Sequence, residues 1–177
     1  NQQKTFRYQY LLTVGIVAME GRGFEYPIDC LPSTSDLIFV TNKSRDVGQR
    51  GVRVSILNLD SEYFGHFGLF GEEDGSLVSP SGIAENGNGH LLVLDEVLNR
   101  LTIYDQNGTY IEKWEPFNSD GHELNGPSSL AVDSNDNVFV SDTGNHRIVI
   151  FDQTGKKLFS IGSQGPNNGE FQYPWGI

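Results

Sequence analysis

The sequence predicts an all-β chain folded as a β-propeller of four-stranded antiparallel blades, and three observations predict it. Pro80, Pro127 and Pro174 stand at intervals of 47 residues, and the same offset links Asp95 with Asp142, Arg100 with Arg147, Asp105 with Asp152, Gln106 with Gln153 and Gly108 with Gly155. Each period divides into four short apolar runs rich in Val, Ile and Phe, as in SSLAV, NVFVS, RIVIFD and KLFSIG, with turn residues between them. Finally, 21 glycines punctuate a chain of 177 residues that is 37% hydrophobic and 11% aromatic, too apolar for disorder and too interrupted for a helical bundle. A four-stranded unit that returns every ~40–50 residues is the mark of a propeller blade.

The elements follow in chain order. TFRYQYLLTVG reads as the outermost strand of a preceding blade, over 6–14. The first full unit, 27–68, opens with YPIDCLPSTSDLIFVTN, and its Pro27 lies 53 residues before Pro80, six more than the period. The excess can be located: Asn42 occupies the place of Asp95 and Asp142, and Arg53 that of Arg100 and Arg147. A spacing of five has therefore become eleven through an insertion within NKSRDVGQRGV. Units at 80–114 and 127–162 follow, written PSGIAENGNGHLLVLDEVLNRLTIYDQNG and PSSLAVDSNDNVFVSDTGNHRIVIFDQTG up to their third turns. PWGI at 174–177 opens the inner strand of a following blade. Residues 1–177 thus read as one propeller domain of about 3.8 repeats, incomplete as a ring.

The Pro-x-x-hydrophobic-Ala start, VSDTGNHRIVIFD and the connecting GSQGPNNGEFQYPWGI resemble the NHL repeat family. The match is strongest from Pro127, good from Pro80, where LNRL replaces NHRI, and weak around Asn42. The resemblance implies a ring of six blades, so that further blades lie in a longer chain or copies associate through open sheet edges. It also implies a non-enzymatic scaffold whose blade-face loops bind a protein, peptide or glycan. The rival reading is a lyase- or lactonase-like propeller with zinc or calcium in the central channel; the catalytic Tyr, Arg and His of the related peptidylglycine amidating lyases have no matching positions here.

Composition narrows the partners. With 12 Lys+Arg against 23 Asp+Glu the net charge is −11, which repels a phosphate backbone, and an RNA-binding mode is disfavoured. The one basic cluster, Lys43, Arg45, Arg50 and Arg53, is interrupted by Asp46. No apolar run approaches the ~20 residues of a membrane-spanning helix. The single cysteine, Cys30, excludes an internal disulfide and is expected to be a small buried residue on an inner strand, as Ile83 and Leu130 are at its position.

Each candidate site has a plain structural reading beside it. Asp95 with Arg100, and Asp142 with Arg147, recur in register and so are assigned to turn closure or an inter-blade ion pair rather than catalysis. Asp133, Asn135 and Asn137 have the spacing that opens a calcium loop, but Val138 replaces its glycine and no glutamate closes it. His66, His90, His122 and His146 form no local ligand pair, Gly87 and Gly89 sit in a hairpin turn, and no catalytic residue or cofactor is assigned. Two features break the symmetry: Trp175, expected to pack on a neighbouring inner strand or serve as a ligand platform, and the insertion 43–51, whose Lys43, Arg45 and Arg50 form a candidate contact surface. Asn42 and Asn107 head glycosylation sequons, of consequence in an exported protein; the compartment is open, with an extracellular setting favoured over the cytoplasm.

Overall fold

The computed structural model describes residues 10, 13, 24–45, 47–115 and 124–177. Apart from Tyr10 and Thr13, the strand expected at 6–14 lies outside the described residues, as does His122. Among the described residues twelve strands form three four-stranded antiparallel sheets. Blade A holds β1 (Tyr26–Pro32), β2 (Ile38–Lys43), β3 (Arg53–Leu57) and β4 (Tyr63–Phe67). Blade B holds β5 (Pro80–Glu85), β6 (Leu91–Asp95), β7 (Arg100–Tyr104) and β8 (Tyr110–Trp114). Blade C holds β9 (Ser129–Val132), β10 (Val138–Asp142), β11 (Arg147–Phe151) and β12 (Lys157–Ile161). Strands are hydrogen-bonded in chain order within each blade, and the inner strands β1, β5 and β9 lie side by side.

Apolar alternation puts one face of every blade against the next. Phe39, Val54, Ile56 and Phe67 of blade A meet Ile83, Leu91, Val93 and Tyr104 of blade B, and Phe67 and Tyr104 stack with centroids 4.7 Å apart. Leu92, Leu94, Leu101 and Ile103 of blade B meet Leu130, Val138, Val140 and Val149 of blade C. Turn glycines belong to the same design. Gly108 and Gly155 need a positive φ, +82° and +79°, and a Cβ would stand 2.5 Å from Phe67 and 2.6 Å from Trp114 respectively. The glycine shared by both repeats therefore admits an aromatic ring from the end of the preceding blade.

Turns close on side chains. Asp133 Oδ1 accepts the N–H groups of Asn135 (2.8 Å) and Asn137 (2.9 Å), and Oδ2 the Asn137 amide (2.8 Å); Asn86 holds Asn88 and His90 in the same way. The calcium-like spacing is thus a turn fastening its own backbone. Hydrogen bonds lower the pKa of the turn carboxyls, chiefly that of the Asn137 side chain at Asp133 and that of the Thr154 side chain at Asp152. At the hub, Ser81 Oγ donates to Pro127 O (2.8 Å) and Ser128 Oγ to Trp175 O (2.6 Å), one inner strand tied to the next at the repeat interval.

Candidate functional site: a cleft beside the insertion

Because β4 leads over into β5 and β2 turns into β3 on the same side, the inter-blade connections and the β2–β3 turns share one face, here the upper face. Asp95 organises it. Its buried carboxylate accepts the N–H groups of Val78 (2.7 Å) and Ser79 (2.9 Å) from the connection, and of Val97 (3.0 Å) and Leu98 (2.9 Å) from its own turn. Arg100 does not pair with it; the guanidinium donates to the carbonyls of Glu72 (2.9 Å), Glu73 (3.0 Å) and Ser76 (3.0 Å) in the same connection. In blade C, Asp142 accepts the Asn125 N–H at 2.7 Å and also Arg147 Nε at 2.7 Å. Of the two Asp–Arg pairs only Asp142–Arg147 is in direct contact, and that contact is within a blade; in both repeats the Asp fastens the incoming connection.

At the junction of blades A and B the insertion walls an open cleft of about 370 Å³. Tyr26, Arg45 and Gln49 line one side, and Phe70, Val78 and Val97 the other. Phe70 and Val97 are half exposed, 50% and 56%, in positions where turn residues are ordinarily polar. Lys43 Nζ crosses to Glu96 Oε1 at 2.6 Å, and the same oxygen accepts Ser79 Oγ at 2.9 Å, which locks the two blades together under the cleft. The loop itself is anchored: Glu25 Oε1 accepts Ser44 Oγ (3.0 Å) and the Arg45 N–H (3.2 Å), and Gly51 lies against the Glu25 side chain. Arg45 stacks over the Tyr26 ring, its guanidinium carbon 4.3 Å from the centroid.

Of the basic residues read from the sequence, Lys43 and Arg45 come together here, whereas Arg50 does not line the cleft. Trp175 stands apart. It belongs to no strand, its backbone carbonyl is held by Ser128, and its side chain is 70% exposed, so the expected packing on an inner strand is not formed. Cys30 also departs from expectation: it is exposed, because this position on an inner strand faces the preceding blade, and no described residue covers that flank of blade A. Ile83 and Leu130 are buried since blades A and B lie before them. Asn42 is fully buried, with its amide donating to Val40 O (2.8 Å) and Ser55 Oγ (3.2 Å), so it cannot carry a glycan in the folded chain; Asn107 is exposed in a turn on the lower face. His66 Nδ1 meets the Tyr63 hydroxyl at 2.5 Å, and its pKa is lowered by partial burial and by Arg53. Among the described residues no three His, Cys, Asp or Glu side chains converge to hold an ion.

Sequence reasoning missed the apolar side of the cleft. Val97 gave a signal, an apolar residue in a turn where blade C has Gly144; Phe70 gave none, because only the fold brings the A–B connection beside the insertion.

Comparison with known proteins fixes the architecture. Residues 124–151 match the NHL repeat. No curated protein sequence matches the chain. Among solved structures it is similar to hydrazine synthase of Kuenenia stuttgartiensis (TM-score 0.62, 15% identity, 94% of this chain and 42% of that one). It is also similar to virginiamycin B lyase of Staphylococcus aureus (0.58, 16%, 86% and 45%) and to a structure described as a gluconolactonase (0.59, 18%, 80% and 49%). At such identities the likeness shows the fold alone. That fold is a β-propeller carrying an NHL repeat, and the chain spans less than half the length of each of these structures.

Proposed function

We propose that this part of the propeller is a non-enzymatic binding module that takes a protein or peptide segment in the upper-face cleft between blades A and B. The observation that carries the reading is the insertion: where the repeat is broken, Glu25 holds Ser44 and Arg45, and the insertion walls a cleft whose other side exposes Phe70 and Val97. Rigid scaffolds that present exposed apolar side chains beside polar ones are suited to partner recognition. A peptide is favoured over a glycan because the exposed ring of Phe70 stands beside the aliphatic side chains of Val78 and Val97, which offer a sugar's hydroxyls no hydrogen-bond partner.

Selection from a random-peptide display library against the folded chain tests this, with Val97→Asp as the counter-screen. Peptides that bind the parent and not the variant are expected. Stoichiometric zinc or calcium by elemental analysis, together with turnover of lactone substrates and no cleft-dependent peptide, would establish the lyase- or lactonase-like alternative instead. Self-association has its own support: Ile161 stands where Trp114 and Phe67 pack on the following blade, yet it is 47% exposed. A further blade, of the same polypeptide or of a second copy, fits there, and light scattering on the purified chain distinguishes monomer from oligomer.

A further inference from the structure

We propose that the cleft recognises an acidic, apolar peptide segment, with a carboxylate held by the Arg45 guanidinium and an adjacent aliphatic or aromatic side chain seated on Phe70 and Val97. This rests on the reading of the cleft as a peptide site and adds its chemistry.

The basic residues of the insertion are not equivalent. Lys43 is neutralised by Glu96 at 2.6 Å, and Arg50 is already engaged elsewhere. Glu25 spends its carboxylate on Ser44 and on the backbone of Arg45 rather than on the guanidinium. That guanidinium lies over Tyr26 and makes no hydrogen bond among the described residues. A cation held over a ring by its charge spends none of its N–H donors on ring atoms, so the planar fork of the guanidinium is left for a carboxylate, which it can meet with two bonds. A chain of net charge −11 that holds one such cation on a pre-formed aromatic seat is complementary to an anion at that point and to little else around it.

Phosphate chemistry could also meet the fork. The apolar side of the cleft disfavours it: Phe70, Val78 and Val97 offer no side-chain donors opposite Arg45, and a polyanion would meet the net negative charge of the chain. An acidic residue next to an apolar one satisfies both halves of the cleft at once.

The test is fluorescence anisotropy on the full chain with a labelled, end-blocked hexapeptide carrying one Glu-Leu pair among Ser and Gly residues, and with its Gln-Leu and Glu-Ser counterparts. Each replacement is expected to weaken binding by about tenfold, the Gln through loss of one charge-assisted contact and the Ser through loss of one buried aliphatic side chain. Arg45→Gln should weaken the Glu-Leu peptide by a similar factor and erase the difference between Glu and Gln, while Arg45→Lys, which keeps charge but loses the fork, recovers only part. Phe70→Ser should weaken Glu-Leu binding and leave the Glu-to-Gln ratio intact; thermal midpoints of all variants are matched against the parent. Equal binding of Glu-Leu and Gln-Leu peptides, a Glu preference that survives Arg45→Gln, displacement by a short single-stranded RNA, or no binding at millimolar peptide would each overturn the proposal. Cleft-dependent peptides from the display selection that lack any acid would overturn it while leaving the cleft as a peptide site; no cleft-dependent peptide at all would remove both.

Discussion

Asp95→Ala removes the side chain on which the upper face is organised. Its carboxylate is fully buried and accepts four backbone N–H groups, at 2.7, 2.9, 3.0 and 2.9 Å. In the variant, the donors of Val97 and Leu98 lie in a turn that water reaches, whereas those of Val78 and Ser79, in the half-buried connection, lose the buried acceptor that holds it. Leaving buried donors unmet costs about 1–3 kcal/mol each, so these two and the weakened turn together give at most about 4 kcal/mol. Asp95→Asn retains one acceptor oxygen but turns an NH2 group toward two donors, and is expected to cost about half as much. With a slope of about 2 kcal/mol per molar urea for a chain of this size, the unfolding midpoint should fall by ~2 M for Ala and ~1 M for Asn. The control is Asp152→Ala, which also removes an acceptor of turn hydrogen bonds, to Thr154 (2.9 Å) and Lys156 (3.1 Å), but from an exposed turn where water replaces it. Should Asp95→Ala lower the midpoint no further than Asp152→Ala does, the connection is not held by this carboxylate and the account of the Asp–Arg signature fails.

Further outcomes follow from the same geometry. Gly155→Ala forces a non-glycine residue to φ +79° and drives its Cβ into Trp114, so it should destabilise by about 3 kcal/mol, read by the same urea titration; Gly108→Ala, against Phe67, should match it. When the chain is secreted from a glycosylating host, folded protein should carry glycan at Asn107 and none at Asn42, so Asn107→Gln removes the whole glycan mass in intact mass spectrometry. In an NMR titration the His66 imidazole should have its midpoint below the ordinary 6.5, held there by partial burial and then by the charge of Arg53. Since the folded state disfavours the imidazolium, the stability this ring contributes is complete above pH 6.5 and is lost as pH falls through the lower folded midpoint.

The blades were legible because a repeat states its structural rules several times. Pro at the start of each inner strand, Asp at the end of the second strand and Gly in the third turn are read at one interval, and the structure gives each a local cause: an omitted donor, a set of accepted N–H groups, a ring passing over a missing Cβ. What failed was whatever depends on a blade's neighbours. Cys30 was expected to be buried because Ile83 and Leu130 are, yet burial at that position comes from the blade before it, not from the strand that carries it. Asn42 heads a glycosylation sequon, yet it lies within β2 with its side chain turned inward to Val40 and Ser55, and a three-residue motif carries no information on that direction.

The same division bears on function. A residue in register is explained by the fold where equivalent positions in blades B and C receive equivalent contacts, as the Asn125 and Val78 donors to Asp142 and Asp95 show. Residues that escape the register have no such explanation and still have to be held in place. The insertion satisfies that condition: Glu25 has no structural duty other than to bind Ser44, Arg45 and the space beside Gly51 among the described contacts, and Lys43 reaches across to blade B. A loop added only by drift would have no need of these anchors, and deleting them would leave stability nearly unchanged while releasing the loop. Glu25→Ala, which removes the oxygen that accepts both bonds, is therefore the variant that separates scaffold from site. It should leave the urea midpoint within about 0.5 kcal/mol of the parent, as a surface substitution does, and yet reduce capture of cleft-dependent peptides. If capture were unaffected, the ordering of the insertion would have no part in binding.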